Sequence, residues 1–426
     1  MLPPVKAVLA IAVVVLSLTG PRAYANGEPV NGFPNWGERV LHEWTNRARC
    51  DPQVEMQACG PACGEGACYV PQPPLPWAET LNRSARFHSD EMSAQGYFAH
   101  DSACTLVSNI DALYPGACTG AASCACVGGM KACSPTCTAW SERLSLFGAS
   151  ARGEIIASGT DPNGAFYQWL YESFSPTTCG YAQGPPTNGH RYNILMSGPA
   201  VGYGIGAGPS VGDFGASGTV GKLASGSHYP RAAATVDAWT NWNDTAGPRS
   251  ALINVDGTCT PMMLARGSVT NGAYHAALTG VGTGCHRYFF LFHDASDAIV
   301  TYPTTGSLGI GAEGACADWD STRPSTGAGC ACTPQCGGKQ CGDDGCGGSC
   351  GSCTGGESCE SDVCVAASPD AGIPGPGDNG DAGTGGNGGT GGNGGCGCET
   401  TGSGGGLAVV LGLGVLGIVL RRPRRQ

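Results

Sequence analysis

Gly153-Glu154-Ile155-Ile156-Ala157 and Gly189-His190-Arg191-Tyr192-Asn193-Ile194-Leu195 frame the stretch that decides how this chain reads. Between them lies Glu172, three residues after Trp169, so that Glu154, Glu172 and His190 are equally spaced. A second histidine, His100, closes Tyr97-Phe98-Ala99-His100 upstream. Two imidazoles and two carboxylates brought together make a metal site or an acid/base site. The bland alternative is that the four satisfy one another as a structural network.

Outward from this stretch, helical spacing recurs. Val40, Leu41, Trp44 and Ala48 predict a helix over 35–49, ended by Asp51-Pro52. Ala78, Leu81, Ala85, His88 and Met92 form a second stripe, stopped by Gly96. His88 on that apolar stripe reads as a core histidine rather than a functional one. A short helix is expected over 141–147. Another is expected over 163–174, with Glu172 near its C-terminal end, where a carboxylate opposes the helix dipole. Val201-Gly202-Tyr203-Gly204-Ile205-Gly206 alternates with glycine, as a strand packed closely against a neighbour would. Between His100 and Glu154 runs an insertion bearing Cys104, Cys118, Cys124, Cys126, Cys133 and Cys137. In a secreted chain these read as disulfides, not zinc ligands.

Four pieces in order give the stretch a resemblance. The helix with Asn46 and Arg49, the block Leu75-Pro76-Trp77 through His88-Ser89 to Phe98-Ala99-His100, Gly153-Glu154-Ile155-Ile156-Ala157, and Gly189-His190-Arg191-Tyr192-Asn193-Ile194-Leu195 with Val201-Gly202-Tyr203-Gly204 resemble the CAP superfamily. Its members include cysteine-rich secretory proteins, venom antigens and plant pathogenesis-related proteins. The resemblance implies an α-β-α sandwich over residues 35–222. It implies a cleft tetrad of His100, Glu154, Glu172 and His190, able in many members to hold Zn²⁺ or another divalent metal. Ile155 departs from the family's usual Asn, and the cysteine-laced insertion is unusually long.

The rest of the chain reads as delivery, staples and anchor. Its 25 cysteines point to an oxidising compartment. Lys6, the apolar run Ala7 to Leu18 and Ala23-Tyr24-Ala25 read as a signal peptide over 1–25. Period-two alternation in 236–242, 251–255 and 274–278, with the apolar run 286–293, predicts an all-β, immunoglobulin-like sandwich over 223–320. Asp256-Gly257 and Asn271-Gly272 are its expected tight turns, and Cys259 and Cys285 an available pair. Residues 321–365 form a module that only disulfides can hold, since it has too few apolar residues for a core. It resembles small cysteine-rich modules of myxobacterial surface proteins. Asp343-Asp344 within it is a weak Ca²⁺ signal. A Gly/Pro-rich linker, 366–395, leads to Cys396-Gly397-Cys398, an apolar run Leu407 to Leu420 and an arginine tail. That segment, 396–426, resembles the myxobacterial type of C-terminal sorting signal and implies display on the outer surface or membrane anchoring. The cysteine total is odd, so at least one lacks a disulfide partner, with processing or lipidation of the tail one explanation.

The fold class expected is therefore α+β, an α-β-α sandwich followed by a β-sandwich and a small disulfide module. Net charge is −11 with no basic patch in the mature region, which argues against a nucleic-acid partner. No His-Glu-x-x-His occurs, so an ordinary zinc protease has no support. The expected function is a secreted binding module for a divalent metal or a small, apolar or lipid ligand, or for a surface polymer. The rivals are a metal-assisted hydrolase with Glu154 or Glu172 as catalytic carboxylate, and an adhesive or envelope-structural protein.

Overall fold

Helix α1 (Trp36–Cys50) starts at a capping box. The Asn35 carboxamide oxygen accepts from the Glu38 amide at 3.0 Å, and the Glu38 carboxylate accepts from the Asn35 amide at 2.8 Å. Asp51 ends it and caps the short α2 (Pro52–Met56). Helix α3 (Glu79–Gln95) stops at Gly96, whose φ of 67° is left-handed and suits glycine. Then follow α4 (Ile110–Leu113), α5 (Trp140–Leu146), strand β1 (Ala151–Ala157), α6 (Pro162–Leu170), α7 (Gly189–Leu195), β2 (Ala200–Gly204) and β3 (Ser210–Gly215). The computed structural model describes residues 27–366 except 31, 33, 64, 104, 119–137, 173–188, 197, 199, 216–217, 328–329, 331–335 and 343–349. The expected signal peptide, sorting tail, Asp343-Asp344 and most of the cysteine-laced insertion lie outside the described residues, as does the linker beyond Ala366.

The three strands form an antiparallel sheet in the order β1-β3-β2. One face presents Ile155, Val201, Tyr203 and Phe214 to α1, α6 and α7, in a core with Leu41, Trp44, Phe166, Trp169 and Ile194. The other presents Ile156 and Val211 to Ala85 and Met92 of α3. The glycines of the alternating run lie against α3. A Cβ on Gly202 would stand 2.1 Å from the Asn82 amide nitrogen, and one on Gly204 2.0 Å from that of Arg86. Backbone therefore meets backbone here, which only glycine permits. One expectation fails: α6 ends at Leu170, and Glu172 lies beyond it. Its carboxylate is not inside the helix, and the dipole argument lapses.

Strands β4 (Leu223–Tyr229), β5 (Thr235–Asn243), β6 (Ser250–Val255), β7 (Thr258–Pro261), β8 (Met263–Ser268), β9 (Asn271–Thr279), β10 (His286–His293), β11 (Ile299–Tyr302), β12 (Ser307–Ile310) and β13 (Trp319–Asp320) follow. They make two antiparallel sheets, β4-β5-β9-β8 and β13-β12-β10-β6-β7, with β11 on β10. Val236, Ala238 and Trp242 of the first share a core with Ile253, Phe290 and Phe292 of the second. Asp256-Gly257 makes the β6–β7 turn, both residues at positive φ. Asn271-Gly272 does not turn; both residues open β9, and the turn is Val269-Thr270. Cys259 pairs with Cys330, and Cys285 with Cys316, not with each other. Beyond them Cys336–Cys350, Cys341–Cys359 and Cys353–Cys364 staple a hairpin of β14 (Glu357–Glu360) and β15 (Val363–Ala366). These disulfides place the folded chain in an oxidising compartment. No described helix is long and apolar enough to cross a membrane.

Helix α1 is buried on every side from Gly37 to Cys50. Its apolar stripe faces the first core, and its polar stripe meets β4 and β5. Glu43 accepts from Ser225 Oγ at 2.6 Å and from Asn241 Nδ2 at 2.7 Å. Asn46 Nδ2 donates to Ser225 Oγ at 3.0 Å. The Arg47 guanidinium pairs with Glu55 at 2.5 Å and lies 4.7 Å from the Trp239 ring centroid. Trp239 and Ala273 belong to the same apolar cluster as Trp44 and Trp169. Cys50 is the cysteine without a disulfide among the described residues; its thiol, buried in α1, donates to the Arg47 carbonyl.

Candidate functional site

The four candidate residues resolve into two histidine–glutamate pairs. In the first, Nδ1 of His100 lies 2.9 Å from Glu154 Oε1. Glu154 sits on β1 with its side chain almost wholly buried, while the His100 ring is about half exposed. In the second, Nδ1 of His190 lies 2.6 Å from Glu172 Oε2, again with a buried carboxylate and a partly exposed ring. Helix α7, which carries His190, is seated close to β1: a Cβ on Gly153 would stand 2.2 Å from Asn193 Oδ1. Glycine at 153 therefore brings the helix of one pair against the strand of the other.

Each carboxylate is occupied on both oxygens. Glu154 Oε2 takes a hydrogen bond from Arg143 Nη2, and Glu172 Oε1 takes one from the Arg191 amide at 2.9 Å. Arg191 also donates to the carbonyls of Leu170 and Glu172 and pairs with Glu65 at 2.7 Å. Burial opposes the charge on Glu154, yet the Arg143 guanidinium and the bond from His100 outweigh it and pull the pKa down to about 2. A carboxylate so held orients an imidazole and has little basicity to spare.

Two residues that the sequence reading passed over complete the floor. Arg143, on α5, is fully buried. Asp213, also fully buried, stands directly opposite Glu154 in the β1–β3 register. Its polar neighbours are Ser84, Glu154 and the Arg143 guanidinium, and neither of its oxygens makes a well-aligned hydrogen bond. Burial, then the charge of Glu154, drives its pKa well above the usual carboxylate range. The signal was readable: Asp213 falls on the same strand face as Val211, a core position where an acid is out of place. His88 has the core role expected of it. Its Nε2 donates to the Ala99 carbonyl at 2.8 Å, and its Nδ1 lies 3.3 Å from Glu91.

Asp213 yields a pH prediction. Its folded pKa lies above the ordinary 3.8, so the folded chain keeps a proton that the unfolded chain releases. Stability falls as pH rises between those two values. Asn, a neutral isostere, escapes that loss. Asp213→Asn should match the wild type in urea midpoint below pH 4 and exceed it at pH 7.5, a gap that urea titration at both pH values measures.

Among the described residues, the one group of three metal-type ligand atoms within 4.8 Å of one another is Cys341, Cys353 and Cys364. That spacing could hold a metal, but all three sulfurs are closed in disulfides, which withholds the thiolates. The histidine pairs offer their other ring nitrogens instead, one from each imidazole. An imidazole whose Nδ1 is held by a carboxylate keeps Nε2 as its metal donor, so His100 and His190 are the residues that would hold a divalent ion.

No family model and no curated protein matches the chain. Among solved structures, an extracellular protein containing an SCP domain from Bacillus anthracis str. Ames is similar at 21% identity and a TM-score of 0.22. The likeness covers 34% of this chain and 34% of that one, so the chain spans about a third of the length of the structure it matches.

Proposed function

We propose that the protein is an extracellular binding module whose His100 and His190 take a divalent metal, zinc by donor chemistry, or a small ligand that the metal or the imidazoles recruit. The observation that carries this reading is the commitment of Nδ1 in both rings to a buried glutamate, which leaves each Nε2 on a partly exposed ring. Glu154 and Glu172 act here as orienting groups, each holding an imidazole Nδ1 with one oxygen and a second donor with the other. Binding is favoured over hydrolysis. A general base near neutrality needs a pKa near the working pH, and Glu154 is held at about 2. Residues 366–426 tether this module to the outer cell surface in the same reading.

Calorimetric titration of Zn²⁺ into the whole oxidised mature chain tests it. The wild type should bind one equivalent, and His100→Ala with His190→Ala should lose that binding. Equal binding by the two chains would overturn the metal site. Omitting reductant keeps the cysteine module closed, so its sulfurs do not compete.

A further inference from the structure

We propose that Arg143 is a positioning residue for His100, holding from below both the carboxylate that orients the imidazole and the main chain that carries it. This rests on the reading of His100 as a ligand. From its fully buried guanidinium, Nη2 donates to Glu154 Oε2, and Nη1 donates to the His100 carbonyl at 3.0 Å and to Ser102 Oγ at 3.0 Å. One planar cation thus fixes the dyad at both ends, which a point-charge lysine cannot do.

The surrounding chain explains why such a pin is needed. His100 follows α3 in an irregular stretch, with its ring about half exposed and no helix or strand to set its direction. From α3, the Tyr97 amide bond to the Met92 carbonyl at 3.1 Å and the His88 bond to the Ala99 carbonyl steady that stretch. On the other side, the ends of the cysteine-laced insertion close together beside it. The Ser102 amide donates to the Thr138 carbonyl at 2.9 Å, and the Trp140 amide donates to Asp101 at 3.0 Å. Arg143 lies one helical turn after Trp140. The exit of the insertion therefore delivers the arginine, and the arginine delivers the histidine. Arg143 is also the cation facing Asp213 and Glu154, so its charge cannot be removed without leaving Glu154 unpaired.

The test is a double-mutant cycle on the whole chain with Zn²⁺ as probe. Arg143→Lys should weaken Zn²⁺ binding by roughly 10- to 100-fold, as loss of a ligand's orienting partner does. The loss should persist in the His190→Ala background and vanish in the His100→Ala background. An affinity change within twofold, or an equal loss without His100, would overturn the assignment. Should Arg143→Lys fail to fold, Ser102→Ala removes one acceptor only. A loss of about threefold, the worth of one modest hydrogen bond, confined to chains with His100 would support the proposal, and no loss would overturn it. If the wild type binds no Zn²⁺, the metal reading fails by itself. Arg143 is then judged in the same metal-free chains by ¹⁵N shifts of the His100 ring. A single Nδ1–H tautomer in the wild type and a mixture in the folded variant support positioning; identical spectra refute it.

Discussion

Gly204→Ala should destabilise the folded chain by about 4 kcal/mol, beyond the ordinary range for added core volume. The added methyl would stand 2.0 Å from the Arg86 amide nitrogen and 2.1 Å from the Ala85 carbonyl carbon. Those are helix backbone atoms, and moving them means lifting α3 off β2. Lifting it would also break the Asn82 side-chain bond to the Tyr203 carbonyl and the Ala78 bond to the Val201 carbonyl. Gly206→Ala is the control. Its methyl would meet Asp90 Oδ1 at 2.0 Å, a side-chain atom whose shift strains the bonds from the Ala207 amide and the Tyr114 hydroxyl but moves no helix backbone. A cost of about 1 kcal/mol is expected there, in the ordinary range for a point substitution. Urea midpoints of the two variants decide the matter; equal costs would show that the helix yields as readily as a side chain.

That glycine run was legible because spacing alone carries the message: glycine at every second position says that one face of a strand has no room. The stripes of α1 and α3 and the period-two runs of β5, β6 and β9 were legible for the same reason. Pairing across distance was not. Cys259 looks equally able to reach Cys285 or Cys330, since nothing local to a cysteine names its partner. The partners of the polar face of α1 were not legible either, because Glu43, Asn46 and Arg47 have the same composition whether they meet water or Ser225, Asn241 and Trp239.

The candidate site divides along the same line. His100, Glu154, Glu172 and His190 were visible because their residue types are chemically conspicuous. Their division into two pairs was not visible, nor the arginines behind them, because an arginine in a short helix looks like any exposed cation. Arg143 and Arg191 differ from one only in burial, and burial depends on the fold around them. The consequence is chemical. Four residues that the sequence places side by side become two histidine–glutamate pairs, each glutamate holding an imidazole with one oxygen and a second donor with the other.

Glu43→Gln should stabilise the chain by about 3 kcal/mol above pH 7 and by little below pH 4.5, the difference opening between those values. Burial first raises the Glu43 pKa from 4.5 to about 7, against the bonds from Ser225 and Asn241 and the charge of Arg47, with Glu55 adding to the rise. Below pH 4.5 both folded and unfolded chains hold the proton, and the group contributes nothing. Between 4.5 and 7 the unfolded chain releases it while the folded chain keeps it, so stability falls by about 1.4 kcal/mol per pH unit. Above 7 the folded chain carries a buried anion between α1 and β4–β5. Gln occupies the same space, still accepts from Asn241, and donates to Ser225 without a charge to desolvate. Urea midpoints of both chains from pH 4 to 8.5 give the difference directly and cancel every other titrating group. A constant difference across that range would mean that Glu43 is ionised throughout, with Arg47 compensating for its burial. A difference that opens with pH would instead identify α1 and the sheet it rests on as one acid-stabilised joint, inseparable from the core that carries the histidines.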